Sequence, residues 1–151
     1  MAVRKFHKNR LNKSKAILSA RTILVREKRL IELNYTFLKC RFSNNKLICK
    51  GRTKPTVLSI EYEFSIIYDG LNIPSVYVNS PSVDYNDDIH LFPRDNSLCL
   101  FHKETDNLNW NPMKHNLYDT IIPWTLEWFI YYELYLISGN WEHPYIDHRL
   151  N

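Results

Sequence analysis

Hydrophobic and polar positions alternate along the chain with two different periods. From Ser14 onward, Ile17, Ala20, Leu24 and Ile31 recur at helical spacing, with Ile23 and Leu30 beside that stripe. Arg and Lys fill the opposite face, and Ser14 is placed to cap the first turn. Over residues 35–85 the period shortens. "YTFLKCRF", "KLICKG", "VLSIEYEFSIIY" and "SVYVNSPSV" are rich in β-branched and aromatic residues and read as four strands. Their separators, "SNN", "GRTKP" and "DGLNIP", are short turns, so consecutive strands form an antiparallel meander. In the third strand Ile60, Tyr62, Phe64 and Ile66 alternate with Ser59, Glu61, Glu63 and Ser65. One face is predicted buried, the other wet or thinly covered.

Residues 86–122 follow neither period, apart from three or four strand-like positions around Cys99. An irregular stretch of that length inside a domain is uncommon unless it carries function. Helical spacing returns in "IPWTLEWFIYYELYLISGNW". Pro123 sits in its first turn, Trp124, Trp128, Tyr131, Tyr132 and Tyr135 supply apolar mass, and Gly139 stands where a C′ residue belongs. Helix, four-strand meander, long loop and helix together predict an α+β domain. Residues 1–13 show no clear period and are expected to form a basic arm, leaving residues 14–151 as one domain.

Composition agrees with a packed domain: 44% hydrophobic and 14% aromatic residues exclude a disordered chain. Charge adds an asymmetry. Residues 1–30 hold ten Lys/Arg against one acid, Glu27, for +9; residues 31–151 hold ten against fifteen, for −5. A basic segment on an acidic body can grip an acidic surface. No RNA-binding aromatic signature or zinc-finger spacing accompanies it, so nucleic acid is not an expected partner. No run approaches the ~20 apolar residues of a membrane span, and no apolar stretch follows the N-terminal charges. With an odd cysteine count, these features lead to the expectation of a cytoplasmic protein without a membrane partner.

The three cysteines are the main candidates for chemistry. Cys40 and Cys49 lie symmetrically about Asn44–Asn45 and are cross-strand neighbours if the hairpin is in register; two packed thiols is the plainer reading. Cys99, in "RDNSLCLFH", can be a packed thiol, a metal ligand or a nucleophile. A nucleophile needs a reachable sulfur and support for its thiolate, and Arg94, His102 and Lys103 are near in sequence. The pairs Cys99-x2-His102 and His143-x4-His148 match metal-ligand spacing only weakly. Walker A, G-x-G-x-x-G and G-x-S-x-G motifs are missing. Neither a metal nor a cofactor is expected.

Several short motifs occur in a telling order. "YEFSIIYDGLNIPSVYVNSP" precedes His90, "SLCL" holds Cys99 nine residues later, and Trp110-Asn111-Pro112 follows before the last helix. Over roughly residues 30–140 this layout resembles the ubiquitin-conjugating enzymes. The ending "IIPWTLEWFIYYELYLISGNWEHP" is similar to the divergent bacterial branch of that family, encoded in CBASS antiphage operons. The resemblance implies a ubiquitin-conjugating-like α+β fold in which Cys99 carries an acyl group as a thioester and passes it to an amine or thiol. It implies His90 as loop organiser or hydrogen-bond donor, with Asn96 and His102 as further candidates. Trp110 and Pro112 read as structural, shaping the loop behind the cysteine. The implied partners are a CD-NTase-like nucleotidyltransferase or another protein substrate, and an activating enzyme or other thioester donor. One departure stands out: the family's His-Pro-Asn is replaced by His90-Leu91-Phe92, removing the asparagine linked to oxyanion stabilisation. The alternative is a non-catalytic binding module of the same fold that regulates a nucleotidyltransferase, with Cys99 a remnant.

Overall fold

The N-terminal helix, α1 (Val3–Asn34), buries Ala20, Ile23, Leu24, Glu27 and Ile31, which lie on one side at intervals of three and four residues. The computed structural model describes residues 3–104 and 106–142, with backbone alone along residues 3–18. The helix runs through Ser14, so that serine does not cap it. The residues expected to form an arm are helical from Val3.

Four strands follow: β1 (Leu38–Ser43), β2 (Lys46–Thr53), β3 (Tyr62–Tyr68) and β4 (Ser75–Ser80). They pair antiparallel in the order β1-β2-β3-β4, the expected meander. The first turn sets the register. Asn44 and Asn45 both have positive φ, 49° and 59°, as a two-residue type I′ turn requires. Asparagine tolerates that left-handed region better than most residues. Ser43 then faces Lys46, and Cys40 faces Cys49.

The inner face carries Leu38, Leu47, Cys49, Tyr62, Phe64, Ile66, Tyr68 and Val76, all buried. From Tyr62 onward the expected alternation in β3 holds except at Ser65, which is buried and donates to Asn79 Oδ1 at 3.2 Å; it fails at Ile60, which is 58% exposed. The reason lies in the neighbouring strand. β2 ends at Thr53, whose partner is Tyr62, and Pro55 offers no N–H to continue the ladder. Residues 54–61 instead form a turn closed by Thr56 and Ser59, with Ser59 Oγ donating to Glu133 at 2.5 Å.

The C-terminal helix, α2 (Ile121–Ser138), has Pro123 in its first turn and ends at Gly139 (φ 74°), whose N–H reaches the Tyr135 carbonyl. Ile121, Ile122, Thr125, Trp128 and Phe129 are buried. Phe129 stacks at a tilt on Tyr62 and Phe64, so α2 covers the same inner face that α1 borders. This α+β arrangement matches the ubiquitin-conjugating-like layout. No described helix is long and apolar enough to cross a membrane.

Two contacts fix α1. In the turn between β3 and β4, Gly70 (φ +77°) lies so close that a Cβ there would stand 2.8 Å from the Ala20 carbonyl oxygen. Further along, fully buried Glu27 accepts the Leu117 N–H at 2.8 Å through Oε2. Its other oxygen meets Arg26, which also donates to the Pro112 carbonyl at 3.1 Å. Burial pushes the Glu27 carboxyl above its usual range, against the opposing pull of the Leu117 N–H and Arg26.

Candidate active site

The long loop is irregular but not loose. Leu98 donates its N–H to the Val76 carbonyl at 2.8 Å, laying the Leu-Cys-Leu segment beside β4. Leu91 and Leu98 form an antiparallel bridge. Between them the chain reverses, with Phe92 N–H on the Ser97 carbonyl at 2.8 Å and Asn96 N–H on the Phe92 carbonyl at 2.9 Å. Asp95 Oδ1 accepts both the Ser97 N–H (3.0 Å) and the Ser97 hydroxyl (2.6 Å), and Asn96 takes a positive φ of 57°. These are the turn roles that Asp and Asn fill well. Asn96 is therefore the reversal point of the loop, and its side chain is exposed.

That reversal explains how two residues nine apart in sequence become neighbours. Cys99 donates its N–H to the His90 carbonyl at 3.0 Å. His90 Nδ1 lies 3.4 Å from the Cys99 carbonyl oxygen. The His90 ring stacks on Trp141 with centroids 5.7 Å apart and planes 10° from parallel. Trp128 Nε1 donates to the same His90 carbonyl at 3.0 Å. Trp128 and Trp141 also touch each other, so α2 and the residues just beyond it hold the histidine from behind. Neither tryptophan is assigned to His90 by sequence reasoning. The signal available was a pair of indoles, the residues best able to pack broadly while donating one hydrogen bond.

Cys99 is 3% exposed. Its thiol is the donor toward the Phe101 carbonyl, with Sγ 3.8 Å from that oxygen. Burial, and secondarily the Asp106 carboxylate, push the thiol up to about 12. Both influences oppose ionisation, so at neutral pH the group is a protonated thiol rather than a thiolate. Of the cations near it in sequence, Arg94 is 79% exposed at its side chain and pairs with Asp95 at 3.6 Å. His102 joins a turn through its backbone N–H, which Asp106 Oδ2 accepts at 2.6 Å.

Trp110 packs edge-on against Tyr68, donates to its hydroxyl at 3.3 Å, and lies over His115. With the Pro112 carbonyl on Arg26, the Trp-x-Pro segment ties the loop to β3 and α1. Among the described residues no three His, Cys, Asp or Glu side chains gather as a metal-holding group. His143 and His148 lie outside the described residues.

The chain matches the family described as Type II CBASS E2 protein over residues 27–149. That span covers α1 from the Glu27 latch, the whole sheet, the His90–Cys99 ladder and α2. No curated protein matches.

Proposed function

The chain belongs to the type II CBASS E2 family, an E2-like component of antiphage defence, and from that premise we propose that Cys99 carries an acyl group as a thioester. The reading is supported most by one observation: the Cys99 N–H to His90 carbonyl bond, which sets a Leu-Cys-Leu cysteine beside a loop histidine at the edge of the meander. In the first step a donor thioester is attacked by the Cys99 sulfur. A new S–C bond forms, the donor thiol leaves, and the Cys99 proton passes to it or to solvent. In the second step an amine or thiol attacks the carbonyl and Cys99 leaves as the thiol.

His90 holds the loop through its backbone and has its ring beside the nucleophile's own carbonyl. It acts as organiser of the loop or as a donor to the tetrahedral intermediate, in place of the missing asparagine. The acyl donor is an activating enzyme or another thioester. The acceptor is a CD-NTase-like nucleotidyltransferase or another protein of the same system. Because the resting thiol is buried and protonated, donor docking must first expose the sulfur and take its proton.

The test is covalent trapping. Cys99→Ser or Cys99→Lys, purified with its operon partners, should yield an ester or amide adduct visible by intact-mass spectrometry. An adduct-free variant that still binds those partners would overturn the reading. The 3% exposure of Cys99 favours a second reading, a non-catalytic binding module acting on the nucleotidyltransferase. It requires Cys99→Ala to protect against phage as well as the wild type does.

A further inference from the structure

Cys40 and Cys49 stand apart from the chemistry proposed at Cys99. They are register partners on β1 and β2. Counting outward from the type I′ turn, Ser43 and Lys46 form the first hydrogen-bonded pair. The pairs then alternate, which makes Cys40–Cys49 a non-hydrogen-bonded pair. Such sites bring Cα atoms to about 4.5 Å and side chains closest together, within the span a disulfide bridges.

The two thiols differ in a useful way. Cys49 is fully buried, whereas Cys40, at the sheet's edge strand, is half-buried. Facing each other across this pair, the thiols influence each other: the Cys49 side chain lowers Cys40, while Cys40 and burial raise Cys49. Lys28 on α1 adds a favourable charge and Glu32 an unfavourable one, and these two residues pair with each other. One sulfur is thus exposed enough to be attacked and ionised more readily, and the other is poised behind it. Cys99 is too distant to compete. The Cys99 segment lies outside β4, about 14 Å or three strand spacings from Cys49 on β2 and about 19 Å or four from Cys40 on β1.

We propose that Cys40 and Cys49 form a dithiol modification site that a hydroperoxide closes to an intrachain disulfide. The Cys40 thiolate attacks the terminal peroxide oxygen, the O–O bond breaks, and with one proton the products are a Cys40 sulfenic acid and an alcohol or water. The Cys49 sulfur then attacks that sulfenic sulfur, the S–O bond breaks, and the Cys49 proton leaves with the hydroxyl as water. Overall two thiols are oxidised and one peroxide is reduced.

The experiment uses the reduced, folded full chain and hydrogen peroxide as the probe, followed by alkylation in denaturant and peptide mass mapping. The expected product is a Cys40–Cys49 linked peptide two hydrogens lighter than its parts, restored by dithiothreitol, with Cys99 recovered alkylated. Cys40→Ser should slow loss of the Cys49 thiol by about tenfold or more. In Cys49→Ser, a Cys40 sulfenic acid should be trapped by dimedone. Three results would each overturn the proposal: all three cysteines alkylated after exposure, Cys40 driven to sulfinic acid while Cys49 stays free, or a disulfide containing Cys99. The wild-type mapping decides the matter even if a variant fails to fold, and none of these outcomes depends on whether Cys99 carries an acyl group.

Discussion

At the scale of single residues, the Cys99 thiol is governed by what surrounds it. Burial is the larger influence and the Asp106 carboxylate the smaller, and both keep the proton on sulfur. Asp106→Asn removes the charge but retains an oxygen that can accept the His102 N–H. The variant should therefore alkylate at Cys99 roughly two- to tenfold faster at neutral pH, since each tenfold corresponds to about 1.4 kcal/mol of thiolate stabilisation. Iodoacetamide kinetics followed by peptide mass spectrometry measure this directly; an unchanged or slower rate would remove Asp106 from the account. Sequence pointed instead to Arg94, His102 and Lys103, because proximity along the chain was the only distance available. The fold turns Arg94 outward onto Asp95 and brings a carboxylate close to the thiol.

Among elements, the hairpin of β1 and β2 was the most legible. Two adjacent asparagines between β-rich runs dictate a left-handed two-residue turn, and that turn alone fixes which cysteines face each other. Asn45→Ala should cost about 1 kcal/mol, the penalty of placing a Cβ in the left-handed region without the local hydrogen bonding of asparagine. Asn45→Gly should be neutral or stabilising by a few tenths of a kcal/mol, about the range in which glycine tolerates such positions. Urea midpoints of both variants test the pair. Less legible was the start of β3. Alternation continues through Ile60, but a ladder needs a partner, and the end of β2 before Pro55 is a tertiary fact. The His90–Cys99 ladder lies between these cases. Asp95–Asn96 advertises a reversal, while the closure on β4 through Leu98 and Val76 leaves no periodic trace.

For the molecule as a whole, Glu27 joins the N-terminal helix to the loop that leads into α2. Its position was readable, since it falls three residues after Leu24 and four before Ile31 on the apolar stripe. What it meets was not readable, because Leu117 is ninety residues away. Burial holds its carboxyl above the ordinary range, so the folded chain keeps this proton more readily than the unfolded one. The associated stability is fully present below the unfolded value and is lost as pH rises through the folded value. Glu27→Gln, which still offers a carbonyl to the Leu117 N–H, should thus exceed the wild type in stability at about pH 7 and converge with it below about pH 4. Glu27→Ala strands a buried N–H and should cost about 1–3 kcal/mol at either pH. Denaturant titrations of the three chains at both pH values check the sign. A Gln variant weaker than wild type at neutral pH would mean that the Arg26 pairing outweighs burial.

The close approach of Gly70 to Ala20 gives α1 a fulcrum. From Ala20 to Glu27 is seven residues, a lever arm of about 10 Å at helical rise. A single methyl group at position 70 meets backbone rather than a yielding side chain, and its left-handed conformation adds strain. The helix must therefore lift or tilt to accommodate it. Gly70→Ala should accordingly be felt most at the far end of the arm, as faster hydrogen exchange of the Leu117 amide, before the sheet beneath the fulcrum changes at all.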